Sequence, residues 1–373
     1  MNVLGINIGH HSSVCLLQDG KIKYFIQEER FNREKHSPLP LKSYIELIQQ
    51  FKIDVVAWGS PGKTEEKAHF EVILERIAFT YNKDTKFYNY TDRNHHKVHC
   101  ASAFYNSGFK ECMGLVVDGL GSAQVDNQDR YIGVEVESIF YCSYPNNITD
   151  VYKHIIAPQR EVNLGRAYET ITMHLGWDRN EGGKVMGLAS YGKNNPIIPD
   201  FVYKHTSNPQ VFYADLNKPG RYPPEPLPQT FIEEELNPQL KLTTDPREWY
   251  HNPSKITELE QDLAWQIQND TQKAVAKLIE KGIKETGLKK VCCAGGYFLN
   301  CVANYSFQKQ FPDVEFYFEP IAYDAGTAIG AAQLAYREIS KDNNLYPQNS
   351  LYYGPQYSKK QLLEGIKKHV DIP

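Results

Sequence analysis

One pattern occurs twice in this chain: a buried strand, a glycine-bearing turn, then further extended runs. The first copy is Val3-Leu4-Gly5-Ile6-Asn7, the turn Gly9-His10-His11-Ser12-Ser13, the run 14–17, the turn Gln18-Asp19-Gly20 and the run 22–27. Asp-Gly between two apolar runs is a strong hairpin signal, so the chain opens with three consecutive strands. The second copy is Met113 to Asp118, the turn Gly119-Leu120-Gly121-Ser122, and two further extended runs within Tyr131 to Phe140. At 373 residues the chain suits two packed lobes and can bury its own core. A repeated strand–turn–strand unit predicts that the two lobes are related.

Helical patterns link these units. Tyr44, Ile45, Ile48 and Phe51 recur at helical spacing before the short buried strand 54–59, and residues 66–81 read as a further helix. Residues 91–104 begin with Asn94-His95-His96-Lys97-Val98-His99 and continue through small, packable positions. On a helix, His95 and His99 point the same way and can close on one metal ion, while His96 faces elsewhere. Two imidazoles do not complete a site. Asp118, ending a strand, and Asp324, in Ala322-Tyr323-Asp324-Ala325-Gly326, are the candidate carboxylates; as an alternative, Asp324 caps the small-residue helix that follows.

Three glycine-bearing segments could face an anionic ligand. In the first turn, Ser12 and Ser13 offer hydroxyls and amides to such a group, or simply close a polar turn. Glu181-Gly182-Gly183-Lys184-Val185-Met186-Gly187 reads as a glycine-dense connection in which Lys184 is either a mobile point charge for phosphate or a solvated side chain. It lacks Walker A spacing. The strand 290–294 ends in Gly295-Gly296, where backbone can lie flat against a base or ribose. A long helix over 256–282 leads into that strand. The prolines between 196 and 253 predict an irregular surface insertion.

Composition narrows the class. A net charge of −4 gives no basic excess, so nucleic acid is not an expected partner. Seven cysteines without CxxC spacing argue against a disulfide framework and for a reducing, cytoplasmic setting. The N-terminus carries no signal-peptide pattern, and no apolar run reaches membrane-spanning length.

The duplication is similar to that of the actin-like ATPase superfold, an α/β fold in which two ribonuclease H-like lobes clamp a nucleotide. The ordered segments Gly9-His10-His11-Ser12-Ser13, Glu28-Glu29-Arg30-Phe31, His95 to Phe104, Val117-Asp118-Gly119, Gly183 to Ala189, Ala294 to Asn304 and Asp324 to Ala328 jointly resemble the O-carbamoyltransferase family of nodulation-factor and antibiotic-tailoring enzymes. The resemblance implies transfer of carbamoyl from carbamoyl-adenylate to a hydroxyl of a small-molecule acceptor. It implies that His95, His99, Asp118 and Asp324 bind iron or a similar divalent ion, and that His10 stands near the acceptor hydroxyl. Ser12, Ser13, Lys184, Gly295, Gly296 and Asn300 would hold ATP or carbamoyl-adenylate.

Where the family usually has Asp after the first His, this chain has His11. The expected division is a first lobe over 1–110, a second over 111–340, and a linker over 341–373 toward a YrdC-like, donor-forming domain whose arginine-rich motif the sequence lacks. Either the chain is a truncated form, or a separate polypeptide supplies the donor. The rival reading is a nucleotide- and metal-binding subunit without catalysis of its own; a tRNA-modifying enzyme is disfavoured by the charge balance.

Overall fold

The computed structural model describes residues 1–60, 65–156, 163–198, 200–201, 203–204, 212–213, 256–354 and 357–368. Most of the proline-rich insertion lies outside them. In chain order the first half holds β1 (Asn2–Asn7), β2 (Ser13–Gln18), β3 (Lys21–Gln27), α1 (Glu29–Asn32), α2 (Leu41–Gln50), β4 (Val55–Trp58), α3 (Glu65–Tyr81), β5 (Lys86–Asn89) and α4 (His95–Ser107). Then come β6 (Glu111–Val117), β7 (Ala123–Val125), β8 (Tyr131–Ser143), β9 (Asn147–Ile156), α5 (Leu164–His174), α6 (Gly182–Leu188) and the two-residue pair β10 (Tyr203–Lys204) and β11 (Phe212–Tyr213). The rest holds α7 (Glu258–Thr286), β12 (Lys290–Ala294), α8 (Cys301–Gln310), β13 (Glu315–Phe318), α9 (Thr327–Ser340) and α10 (Lys359–Lys368).

The duplicated pattern becomes duplicated topology. The first sheet runs β3-β2-β1-β4-β5, with β1 antiparallel to β2 and parallel to β4. In the second, β6 pairs antiparallel with β8 and parallel with β12; β8 carries β9, and β12 carries β13. Order and direction therefore repeat over five strands; β7, antiparallel to β8, has no counterpart in the first sheet. One detail differs from the sequence reading: 131–143 is a single long strand, bulged against β9 between Ile139 and Phe140.

Side-chain alternation along each central strand feeds two cores. On β1, Leu4 and Ile6 join Tyr44, Leu47 and Trp58 in an outer core, whereas Val3 faces Val98, Ala328 and Ala332. On β6, Met113, Leu115 and Val117 join α5 and α7 residues such as Ile171, Leu263 and Ile267, whereas Cys112 and Val116 face the same central layer as Val3. The molecule is thus helix, sheet, helix, sheet, helix, with α4 and α9 filling the middle. Those two helices exchange sides relative to chain order: α9, from the far end of the second half, lies on β1, and α4 lies against β6 and β12. Close approach requires bare backbone. A Cβ on Gly5 would lie 1.9 Å from the Ala328 carbonyl oxygen, and one on Gly330 would lie 2.0 Å from that of Val98.

Candidate metal centre

Helix α4 starts where the two halves meet. Asn94 gives it no side-chain cap. Its first amides are satisfied instead by the second half: His95 N–H donates to Ser122 Oγ at 3.1 Å and His96 N–H to Glu135 Oε1 at 3.1 Å. Glu135 is buried, yet its carboxyl is held below the usual range; burial alone would raise it, and His96 and Lys153, whose Nζ lies 2.9 Å away, outweigh that. The helix entrance is therefore fixed to β7 and β8.

That anchoring points two imidazoles at two acids. His95 Nε2 lies 3.4 Å from Asp118 Oδ2 and 3.5 Å from Asp324 Oδ1. His99 Nε2 lies 3.9 Å and 3.4 Å from the same oxygens, and the two Nε2 atoms are 3.1 Å apart. One ligand atom from each of the four residues lies within 4.8 Å of the others, and all four residues are buried. Donors at about 2.0–2.2 Å from a common ion fit such a cluster. His96 belongs to another environment: its Nδ1 meets Ser138 Oγ at 2.8 Å, and burial lowers its pKa to about 4. The two histidines at i, i+4 spacing thus lie together, and His96 lies apart from them.

Electrostatics also match a cation site. Burial alone would make His95 less basic, but Asp118 and Asp324 overcome it and raise its pKa to about 10. Burial by itself would raise both acids; the imidazoles dominate and lower Asp118 to about 2 and Asp324 well below the usual range. Asp118 Oδ1 accepts the Gly296 amide at 3.1 Å, leaving Oδ2 for the imidazoles. His95 Nδ1 and His99 Nδ1 are buried without hydrogen-bond partners.

The proposed ligand-binding residues divide between the cleft and the scaffold. Gly295 has φ +93 and a Cβ there would lie 2.3 Å from the Val117 carbonyl oxygen, so Gly295-Gly296 press against the end of β6 and hold Asp118. Asn300 caps α8 through Ala303 N–H and bonds to Gln268 at 2.8 Å. Ser13 Oγ donates to the Ala325 carbonyl at 2.8 Å, tying the first turn to the Asp324 turn. Ser12 Oγ is buried with no hydrogen-bond partner. The glycine-dense segment is not a loop: 182–188 is helical, and Lys184 Nζ pairs with Glu181 Oε1 at 2.7 Å. Its neighbour three residues away supplies a local counter-charge that spacing did not weigh. Asp324 does not cap α9; it sits in a 3₁₀ turn and its carboxylate turns toward the imidazoles.

At the rim, His10 is more than half exposed, with Nε2 3.7 Å from Asp324 Oδ2. His11 occupies φ +144, a strained region for a residue with a Cβ, and its Nε2 meets His36 Nδ1 at 2.9 Å. Burial first, then the neighbouring His10 and His36, lower the His11 pKa to about 4, so it packs neutral against His10 and Tyr323. Sequence reasoning missed Lys67 and Glu169. Lys67 Nζ would lie 3.7 Å from a Cβ on Gly9 and feels Asp324 and Glu71, while burial lowers its pKa. Glu169, raised by burial, faces Arg166 and Arg179 at 3.6 and 3.4 Å and lies in the field of His10. They sit on α3 and α5, and nothing in their spacing marks them.

Residues 42–333 match the family model described as carbamoyltransferase N-terminus. The chain is 26% identical to an uncharacterized protein of Synechocystis sp., covering 98% of this chain and 62% of that one. It is 24% identical to nodulation protein NolNO of Sinorhizobium fredii (95% and 50%) and 26% identical to nodulation protein NolO of Bradyrhizobium diazoefficiens (75% and 45%). It thus spans roughly half the length of these relatives. The crystal structure of HypF from T. kodakarensis superposes with a TM-score of 0.53 at 12% identity, over 91% of this chain and 48% of that one, so the two share their two-sheet α/β fold. Among the described residues no helix is long and apolar enough to cross a membrane.

Proposed function

The chain belongs to the carbamoyltransferase N-terminal family, and from that premise we propose that it transfers carbamoyl from carbamoyl-adenylate to a hydroxyl group of a small-molecule acceptor. The observation that carries the reading is an exposed imidazole, His10, 3.7 Å from one oxygen of Asp324, whose other oxygen faces the buried His95 and His99. A base at the rim of a cation site suits attack by a neutral alcohol on an activated carbonyl. The acceptor oxygen bonds to the carbamoyl carbon, the bond from that carbon to the adenylate phosphate oxygen breaks, and the hydroxyl proton passes to His10 Nε2. Carbamate ester and AMP are the products. Asp324 holds and orients the imidazolium that forms.

In this reading His95, His99, Asp118 and Asp324 hold iron or another divalent ion. When bound, it supplies positive charge beside the phosphate of the leaving adenylate. Ser12, buried without a partner, and the amide-rich first turn take phosphoryl oxygens. Lys67, beside that turn, adds positive charge on the same side. We read the repeated sheets as two ribonuclease H-like halves closing on the adenine nucleotide, in a cytoplasmic enzyme. In this reading a YrdC-like domain or protein makes the donor. The rival reading is a nucleotide- and metal-binding subunit without catalysis of its own.

Supplying preformed carbamoyl-adenylate and a panel of polyhydroxylated acceptors to the metal-loaded protein separates the two. The expected result is acceptor-dependent AMP release and a carbamate ester, lost by about 10²–10⁴-fold in His10→Ala with metal content unchanged. Tight adenylate binding with no turnover on any acceptor would leave only the subunit reading.

A further inference from the structure

Four of the seven cysteines meet at one place in the central layer. Cys100 comes from α4, Cys112 from β6, Cys142 from β8 and Cys292 from β12, and each is at most 1% exposed. Cys112 and Cys142 are direct cross-strand partners, and Cys292 lies opposite Gly114 on the other side of β6. The Sγ atoms of Cys100 and Cys142 are 3.4 Å apart, as are those of Cys112 and Cys292. Those of Cys100, Cys142 and Cys292 all lie within 4.8 Å of one another. Gly114 makes the convergence possible: a Cβ there would lie 2.3 Å from Cys100 Sγ and 3.2 Å from Cys142 Sγ.

Filling a core with small apolar volume requires no such arrangement. Free cysteine can supply such volume as a small hydrophobe, but here sulfur atoms from four separate elements face one another. Cys293, adjacent in sequence, points to the other core, and Cys301 is exposed; neither joins the group.

We propose that Cys100, Cys142 and Cys292, with Cys112 beside them, form a thiolate site for a soft cation of the Zn²⁺ class, separate from the His/Asp cluster. Sulfur at about 2.3 Å from a tetrahedral zinc ion gives sulfur–sulfur edges of about 3.8 Å. The Cys100–Cys142 pair at 3.4 Å would part by about 0.4 Å on coordination. Thiolate ligands select soft ions, whereas the mixed nitrogen and oxygen set of His95, His99, Asp118 and Asp324 accepts harder ones. Each coordinating thiol releases its proton on binding. An ion here would tie α4 to β6, β8 and β12 and so fix the helix that carries His95 and His99. It would be structural, and the proposal stands whether or not the chain transfers carbamoyl.

The test is to load the reduced protein with Co²⁺ or Zn²⁺ during refolding, because the site is closed to solvent. Expected are sulfur-to-cobalt charge-transfer bands in the near ultraviolet and about two zinc ions per chain, one with a sulfur shell in X-ray absorption. Cys142→Ser and Cys292→Ala should lose those bands and one zinc ion; His99→Ala should keep the bands and weaken the other ion. Folded wild-type protein with no charge-transfer band, and zinc surrounded by nitrogen and oxygen alone, would overturn the proposal. Should the cysteine variants not fold, the wild-type spectrum decides by itself.

Discussion

The two ends of α4 both bury carboxyl groups, and the groups behave in opposite ways. At the N-terminal end Asp118 and Asp324 face His95 and His99, and they are pulled below the ordinary carboxylate range. At the C-terminal end Asn106 donates to Glu319 Oε2 at 3.0 Å, Gln333 donates to Asn106 Oδ1 at 2.7 Å, and Tyr317 OH lies 3.4 Å from Glu319. Burial dominates there and raises Glu319 to about 7, with the amide and hydroxyl donors only partly opposing it. Burial is common to both ends; the difference is the charge of the partners. A neutral network tolerates an acid by keeping it protonated. A basic one keeps it ionised and leaves a site that a cation can enter.

The comparison can be broken at several points. The largest expected effect is at the basic end: Asp324→Ala removes an oxygen shared by both imidazoles, and metal retention should fall by at least about 100-fold, measured by elemental analysis after competition with a chelator. Retention at the wild-type level would show that the four groups do not form one centre.

Next comes Glu319. Its folded pKa is raised from 4.5 to about 7, so its favourable contribution is complete below about pH 4.5 and is lost as pH rises through 7. Glu319→Gln should abolish that loss and make the protein more stable by about 3 kcal/mol above pH 7, with little difference near pH 4.5. Denaturant titrations at the two pH values check it; parallel wild-type and variant curves would contradict it.

A packing substitution should cost somewhat less. Gly330→Ala places a methyl group against the Val98 carbonyl, where α9 crosses α4, and should destabilise by about 1–3 kcal/mol. Because Val98 adjoins His99, metal affinity should weaken with it. The smallest effect sharpens the account of His95. A proton held up to a pKa of about 10 must leave when a cation binds. Apparent metal affinity should therefore rise by up to about tenfold per pH unit between pH 6 and 9, and calorimetry in buffers of different ionisation enthalpy should count the released proton.

Much of this was legible in one dimension. Periodicity located the central strands because alternate side chains of β1 and β6 feed different cores, and the repeated strand–turn pattern foretold two sheets of like order. The i, i+4 histidines were readable because a helix fixes which side chains share a face. Lys184 shows where such reading fails: glycine density implied a loop, but 182–188 is a short helix with Glu181 holding the lysine. Gly295 and Gly296 were legible as a place of close approach. What they approach, the end of β6 and Asp118, is 178 residues distant from Gly296 in sequence and could not be read there.

The sequence by itself determined the local facts: which residues alternate, which turns need glycine, which two imidazoles share a helix face. Those follow from backbone geometry within a few residues. Only the tertiary structure decided that α4 and α9 exchange sheets, that His95, His99, Asp118 and Asp324 meet, and that four thiols from four elements converge beside Gly114. The reason is physical: each meeting depends on which strand lies beside which and on how closely two helices pack, and those distances are set by the whole core at once.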